Sequence, residues 1–143
     1  MKEATFNSEV VKSFKAGGCF AYKIGDPMFN SAARFADPRP FDIFFFAEGR
    51  AGAIESKQIK KWQPFGIAEL AKHQREALDL VEGLGHFALV FLNVRIPHKE
   101  NRLIAWNYKT LKNMGRYKTE QLKELPYIQG KYGLFDLDGL HPL

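Results

Sequence analysis

Six consecutive apolar residues, Phe87-Ala88-Leu89-Val90-Phe91-Leu92, constrain this chain more than any other feature. A run this short and unbroken predicts a strand buried on both faces, here over residues 86–96. Such a strand belongs inside a sheet with further layers above and below it. The remaining periodicities supply those layers. Phe6, Val10 and Phe14 have helical spacing over residues 6–15, with Asn7 or Ser8 as the cap and Gly17-Gly18 as the stop. Residues 19–24 read as a strand whose Cys19, Phe20 and Tyr22 belong to the core. Residues 41–46 and 51–57 read as two strands joined by the turn Glu48-Gly49. After Pro64, Ile67, Leu70, Ala71, Gln74, Leu78 and Val81 mark one face of a helix that Gly83 ends.

A strand at 103–108 and a short helix at 119–125 follow. The order is α-β-β-β-α-β-β, an α/β (α+β) class with a central mixed β-sheet flanked by helices. With 143 residues the chain is expected to form a single domain, its core spanning about residues 5–108. Residues 109–143 carry no clear assignment, apart from a short strand at 134–137. Residues 25–39, with two Asp-Pro pairs, read as a long loop of the kind that carries function.

Several function classes are excluded or disfavoured. There is no apolar stretch long enough to cross a bilayer, and the first residues lack the apolar core of a signal peptide. Cys19 is the only cysteine, so neither an internal disulfide nor a cysteine-rich zinc site is expected, and a cytoplasmic location fits. No glycine-rich phosphate loop follows a strand, so no nucleotide cofactor is expected. His86, His98 and His141 lack metal-ligand spacing. The formal net charge of +5 suits a polyanion partner such as DNA, although a solvated basic surface would give the same number.

The hairpin concentrates chemistry. With the turn centred between residues 48 and 49, facing residues have numbers that sum to 97, so Asp42 stands opposite Glu55. Lys57, two residues on, shares that face. Phe44, Phe46, Ala51 and Ala53 share it too, while Phe41, Ile43, Phe45 and Ile54 form the other face. Both faces are apolar, so both are expected to be covered. Two carboxylates about 4 Å apart would repel by about 4 kcal/mol at an effective dielectric of 20. A divalent cation between them relieves that cost, and oxygen donors of this kind suit magnesium, with manganese able to substitute. Lys57 would orient a water or stabilise an attacking species. The Glu-x-Lys triplet alone recurs by chance and would equally describe an edge strand with solvated charges. Asp42 in register and the apolar surround favour metal-assisted phosphodiester hydrolysis.

Pro40-Phe41-Asp42, a short hairpin and Ile54-Glu55-Ser56-Lys57 resemble the PD-(D/E)XK nuclease signature, in the variant where one residue separates proline from aspartate. Arg39-Pro40-Phe41-Asp42 and Lys72-His73-Gln74 are similar to Holliday junction resolvases of the RecU type, with archaeal-type and phage resolvases close by. The resemblance covers about residues 5–96. It implies a restriction-endonuclease-like core, magnesium held by Asp42 and Glu55 with help from the Ser56 carbonyl, and a water-directing Lys57. It also implies an acid on the first helix, for which Glu9 is the match, both as a ligand and as a catalytic group. Gln74 would touch the active site or the scissile strand, unless it serves only the backbone of its helix. Leu78 stands where exonuclease relatives carry a tyrosine. The implied substrate is a four-way DNA junction, the implied assembly a homodimer, and Arg34, Arg39, Lys60, Lys61 and Lys72 are the DNA contacts. Trp62 would stack on a base or cap the sheet. An endonuclease acting on other DNA, or a non-catalytic DNA-binding module of the same fold, remain the alternatives.

Overall fold

The computed structural model describes residues 3–25 and 39–143. Helix α1 (Glu3–Ala16) leads into β1 (Phe20–Lys23), β2 (Ile43–Ala47) and β3 (Arg50–Ile59). A two-residue strand β4 (Phe65–Gly66), a single 3-10 turn (Ile67–Glu69) and helix α2 (Lys72–Gly83) come next. Then follow β5 (Phe87–Ile96), β6 (Glu100–Asn107), α3 (Tyr108–Met114), β7 (Arg116–Tyr117), α4 (Thr119–Lys123), β8 (Ile128–Gln129) and a last 3-10 turn (Leu137–Gly139). Six strands form one sheet in the order β1-β2-β3-β5-β6-β8. Among the described strands of this sheet only β3 and β5 run parallel, joined by the crossover through α2, and the other pairs are antiparallel.

The apolar run of β5 lies at the centre, as its composition requires. Ala88, Val90, Leu92 and Val94 enter a core with Leu78 of α2 and Tyr108 and Leu111 of α3. Leu89 and Phe91 enter the opposite core with Phe6, Val10 and Phe14 of α1. The expected class, a mixed sheet flanked by helices, is the architecture found.

Hairpin β2–β3 has the expected register, with Ile43 opposite Ile54 and Ala47 opposite Arg50. Its turn residues Glu48 and Gly49 both have positive φ, 53° and 72°, as a two-residue turn of type I′ needs. Phe45 lies against Gly52, its cross-strand partner, and stacks with Phe14 and with Phe87.

Four local expectations are corrected. The helix after Pro64 starts only at Lys72, because Phe65 and Gly66 pair with Tyr117 and Arg116 and hold the chain extended. Residues 134–137 form no strand, although Phe135 is buried against Phe6. The segment 109–143 belongs to the core through Leu111, Tyr117, Leu122 and Phe135. Phe20 and Tyr22 are not core residues, being 50% and 57% exposed on the outermost strand.

An added Cβ at Gly52 would lie 2.3 Å from the Phe45 ring. Replacing Gly52 by valine is therefore expected to cost roughly 1–3 kcal/mol by overpacking. Urea unfolding followed by circular dichroism checks this, and a midpoint equal to that of the wild type would contradict it.

Candidate active site

The site forms where β3 outruns its partner. Strand β2 begins at Ile43, opposite Ile54, whereas β3 continues to Ile59. In an antiparallel edge, alternate amides face the same neighbour, so the Ser56 amide points to the side that β2 has left. An unpaired buried amide is costly. Asp42 satisfies it: its Oδ2 accepts from the Ser56 amide at 2.8 Å. The backbone holds Asp42 there, its amide donating to the Ile54 carbonyl at 2.9 Å and its carbonyl accepting from the Ile24 amide at 2.8 Å. Because the chain bends here, Phe41 packs with the α2-side core rather than on the face first assigned to it.

Glu55 points to the α2 side of the sheet, as its neighbour Ala53 does. Its Oε1 accepts from Gln74 Nε2 at 3.0 Å and lies 4.0 Å from Lys57 Nζ. Gln74 cannot turn its amide round without loss, since its Oε1 accepts from the Ala71 amide at 2.8 Å and so caps α2. Gln74 thus partners both the backbone at the start of its helix and the Glu55 carboxylate. Asp42 and Glu55 are 3% and 2% exposed, and no donor of the described residues reaches the buried Oε2 of Glu55, so that only a proton on one of the two acids can join it to Asp42.

Asp42 also carries an arginine, with Arg39 Nη2 2.9 Å from Oδ1. Glu55 has no such partner, and its ionisation shows it. Its pKa is pushed up to about 9, first by burial, then by the negative charge of Asp42 and a hydrogen bond shared with it. Lys57 and Arg39 offset only part of this.

Other site expectations fare differently. Glu9 is not brought to this cluster. It lies on the α1 side, where Arg95 Nη1 and Nη2 fill both its oxygens at 2.8 and 3.0 Å. Arg95 continues into a polar chain that the sequence reading missed. Its Nε donates to Asn101 Oδ1, which also accepts from Asn93, and Gln58 Nε2 donates to Asn93 Oδ1. The signal was there: Asn93 and Arg95 interrupt an otherwise apolar strand at alternate positions, which share one face. Ser56 takes part through its amide, and its buried hydroxyl has no partner. Trp62 caps the α2-side core beneath Arg102 and Lys123. Lys60, Lys61 and Lys72 are exposed, Lys72 beside Glu76. Arg34 lies outside the described residues.

No family model and no curated protein matches the sequence. The structure is similar to that of Archaeoglobus fulgidus Hjc, a Holliday junction resolvase from an archaeal hyperthermophile. The TM-score is 0.46 and the identity 18%, over 92% of this chain and 84% of that chain. So distant a likeness says nothing about activity.

Do these residues fit a divalent cation? A buried oxygen without a partner calls for an ion or a water, and Glu55 Oε2 beside a second carboxylate is such an atom. Among the described residues no three acidic, histidine or cysteine side chains gather at one point. The protein therefore offers two carboxylates. That matches magnesium, which commonly keeps several waters and takes one or two carboxylates.

The sign of the pH effect follows. The folded chain keeps a proton on Glu55 up to about pH 9, whereas the ordinary carboxyl releases it near 4.5. This contribution to stability is complete below 4.5 and is lost as pH rises to about 9. In EDTA the melting temperature should fall across that window. The slope should flatten in Glu55→Gln, and magnesium at pH 8 should raise the melting temperature of the wild type only. Equal slopes in the two proteins would refute the buried, proton-holding Glu55.

Proposed function

We propose that this chain is a magnesium-dependent endodeoxyribonuclease of the PD-(D/E)XK type that resolves four-way DNA junctions as a homodimer in the cytoplasm. The reading rests above all on the buried Oε2 of Glu55, which no donor of the described residues reaches, next to Asp42, with Lys57 on the same face. Asp42 and Glu55 would hold the ion. Once bound, magnesium would lower the pKa of a water, hold the scissile phosphate and neutralise its growing charge.

The rest falls to the chain itself. Glu55 binds either a proton or a cation, so its raised pKa sets how strongly the two compete. Gln74 fixes the carboxyl group by holding Oε1, which leaves Oε2 turned to the ligand. Arg39 and the Ser56 amide fix Asp42 in the same way. Lys57 is 24% exposed and reaches from the buried acids toward solvent. Its ammonium can there orient the attacking water and offset charge on the phosphorane oxygens. Hydrolysis adds the water oxygen to phosphorus and expels the other ester oxygen, which leaves with a proton. No covalent intermediate is needed.

The junction and the dimer follow from the resemblance at Arg39-Pro40-Phe41-Asp42 and Lys72-His73-Gln74. A four-way junction needs two nicks, and a two-fold pair of sites supplies them. Binding would come from phosphate contacts, for which exposed Lys60, Lys61 and Lys72 are placed beyond β3 and at the start of α2. One observation favours a second reading, that of a non-catalytic DNA-binding module: Arg39 already neutralises Asp42.

A labelled synthetic four-way junction and a matched linear duplex, each incubated with and without magnesium, decide among these readings. Asp42→Asn, Glu55→Gln and Lys57→Ala should each slow nicking at least about hundredfold while junction binding persists. Preference for the duplex would replace the resolvase by another endonuclease. Junction binding without nicking in magnesium or manganese would leave the module.

A further inference from the structure

The strand register continues the acid pair's side of the sheet to an aromatic and basic cluster. Ile59, two residues beyond Lys57, pairs with Val94, and Val94 pairs with Arg102 of β6, so Arg102 lies on the α2 side as Glu55 and Lys57 do. Two strand spacings across and two residues along set Arg102 about 12 Å from Lys57, Cα to Cα. There its guanidinium stands 4.0 Å from the ring centroid of Tyr127 and 5.2 Å from that of Trp62. Arg102 is not a spare cation. Its Nε and Nη2 donate to the two oxygens of Glu100 at 2.7 and 3.0 Å, and its Nη1 donates to the Lys123 carbonyl at 3.4 Å. Its charge is met and its plane is fixed. That plane in turn orients Tyr127, whose hydroxyl has no partner among the described residues. Tyr127 is 46% exposed. With one face of the ring on a guanidinium, exposure of that size lies on the other face. Cations flank the cluster. Lys60 and Lys61, just before Trp62, are exposed and have no acidic partner among the described residues. Lys123 Nζ lies 5.8 Å from the Trp62 ring and 3.7 Å from exposed Glu120, a pair that water screens.

We propose that Tyr127, backed by Arg102, is a platform on which an unpaired base stacks, in the DNA strand that runs from Lys57 past Lys60 and Lys61. Three features select that occupant. First, a flat ring with one face outward and its plane already held loses little freedom when a base covers it. Second, the surrounding lysines suit the phosphates on either side of that base, whereas the core of a protein interface is depleted in lysine. Third, a base inside a duplex has both faces covered, so the ring meets only a base that has left its stack. At about 12 Å from Lys57, that base would lie roughly two to four nucleotides from the scissile phosphate. The inference rests on the DNA reading above and adds a feature of the substrate, an unpaired nucleotide a short step from the cut. Its observations lie outside the acid pair.

Fluorescence anisotropy titrations in EDTA, where nothing is cut, test it with a labelled oligothymidylate and a hairpin duplex of the same number of nucleotides. Tyr127→Ala should bind the oligothymidylate at least about fivefold more weakly than the wild type, with its duplex affinity unchanged. Tyr127→Phe keeps the aromatic face and should bind both probes as the wild type does. Tyr127→Leu keeps an apolar cover for Arg102 without that face and should lose as much as alanine. It takes the place of Tyr127→Ala if circular dichroism shows that variant to be misfolded. Equal affinity of Tyr127→Leu and the wild type for the oligothymidylate overturns the proposal, as does a loss that is the same for single strand and duplex. A wild type that binds neither probe removes the DNA reading and the platform together. A selective loss in a chain that never nicks a junction sinks the nuclease reading and leaves the platform standing. A chain that nicks in magnesium, yet whose affinity for the single strand ignores residue 127, does the reverse.

Discussion

A single hydrogen bond, from the Ser56 amide to Asp42 Oδ2, sets the geometry on which the site depends. It exists because two paired strands differ in length. The longer strand leaves an amide that the shorter one cannot reach, and a carboxylate is spent on it. Both acids therefore stand at the point where the hairpin ladder stops, where a buried charge is hardest to solvate. The strain falls unequally. Asp42 receives an amide and a guanidinium, while Glu55 receives one side-chain amide and a distant ammonium, and its affinity for a proton rises in response.

The two faces of the sheet divide the polar groups by purpose. On the α1 side, hydrogen bonds run from Glu9 through Arg95, Asn101 and Asn93 to Gln58, while Asn7 Oδ1 and the Ser56 hydroxyl stay without a partner among the described residues. Within that chain each buried charge meets its opposite, which lowers its cost. On the α2 side the pairing is incomplete, with one carboxylate oxygen left over. Buried polar groups that nothing in the fold satisfies are the ones from which binding can be argued.

Much of this was legible in the sequence, and the limits have physical causes. Register was readable because a two-residue turn with Gly49 admits one pairing, and register alone put Asp42 and Glu55 together. Gln74 was readable as a polar residue on an apolar stripe. Glu9 was misplaced because helical period tells that a residue is buried but not which side of the sheet its helix covers. Arg39 was read as a DNA contact because an ion pair three residues along an irregular segment has no periodic signature. Phe20 and Tyr22 were read as core because hydrophobicity says that a ring avoids water, not that its own chain provides the cover. The start of α2 was set too early because Phe65 and Gly66 pair with residues some fifty positions later, a contact no local window contains.

The double use of Gln74 has an evolutionary corollary. One end of its amide defines the first turn of α2 and the other reaches Glu55, so helix start and carboxylate pair share a ruler. Loops can usually lengthen or shorten without harm. Between Ala71 and Gln74 a single inserted or deleted residue would rotate the amide about 100° around the helix axis, away from its target. Homologous chains should therefore tolerate length variation over residues 60–64, before the β4 pairing, while the spacing of that short stretch stays invariant.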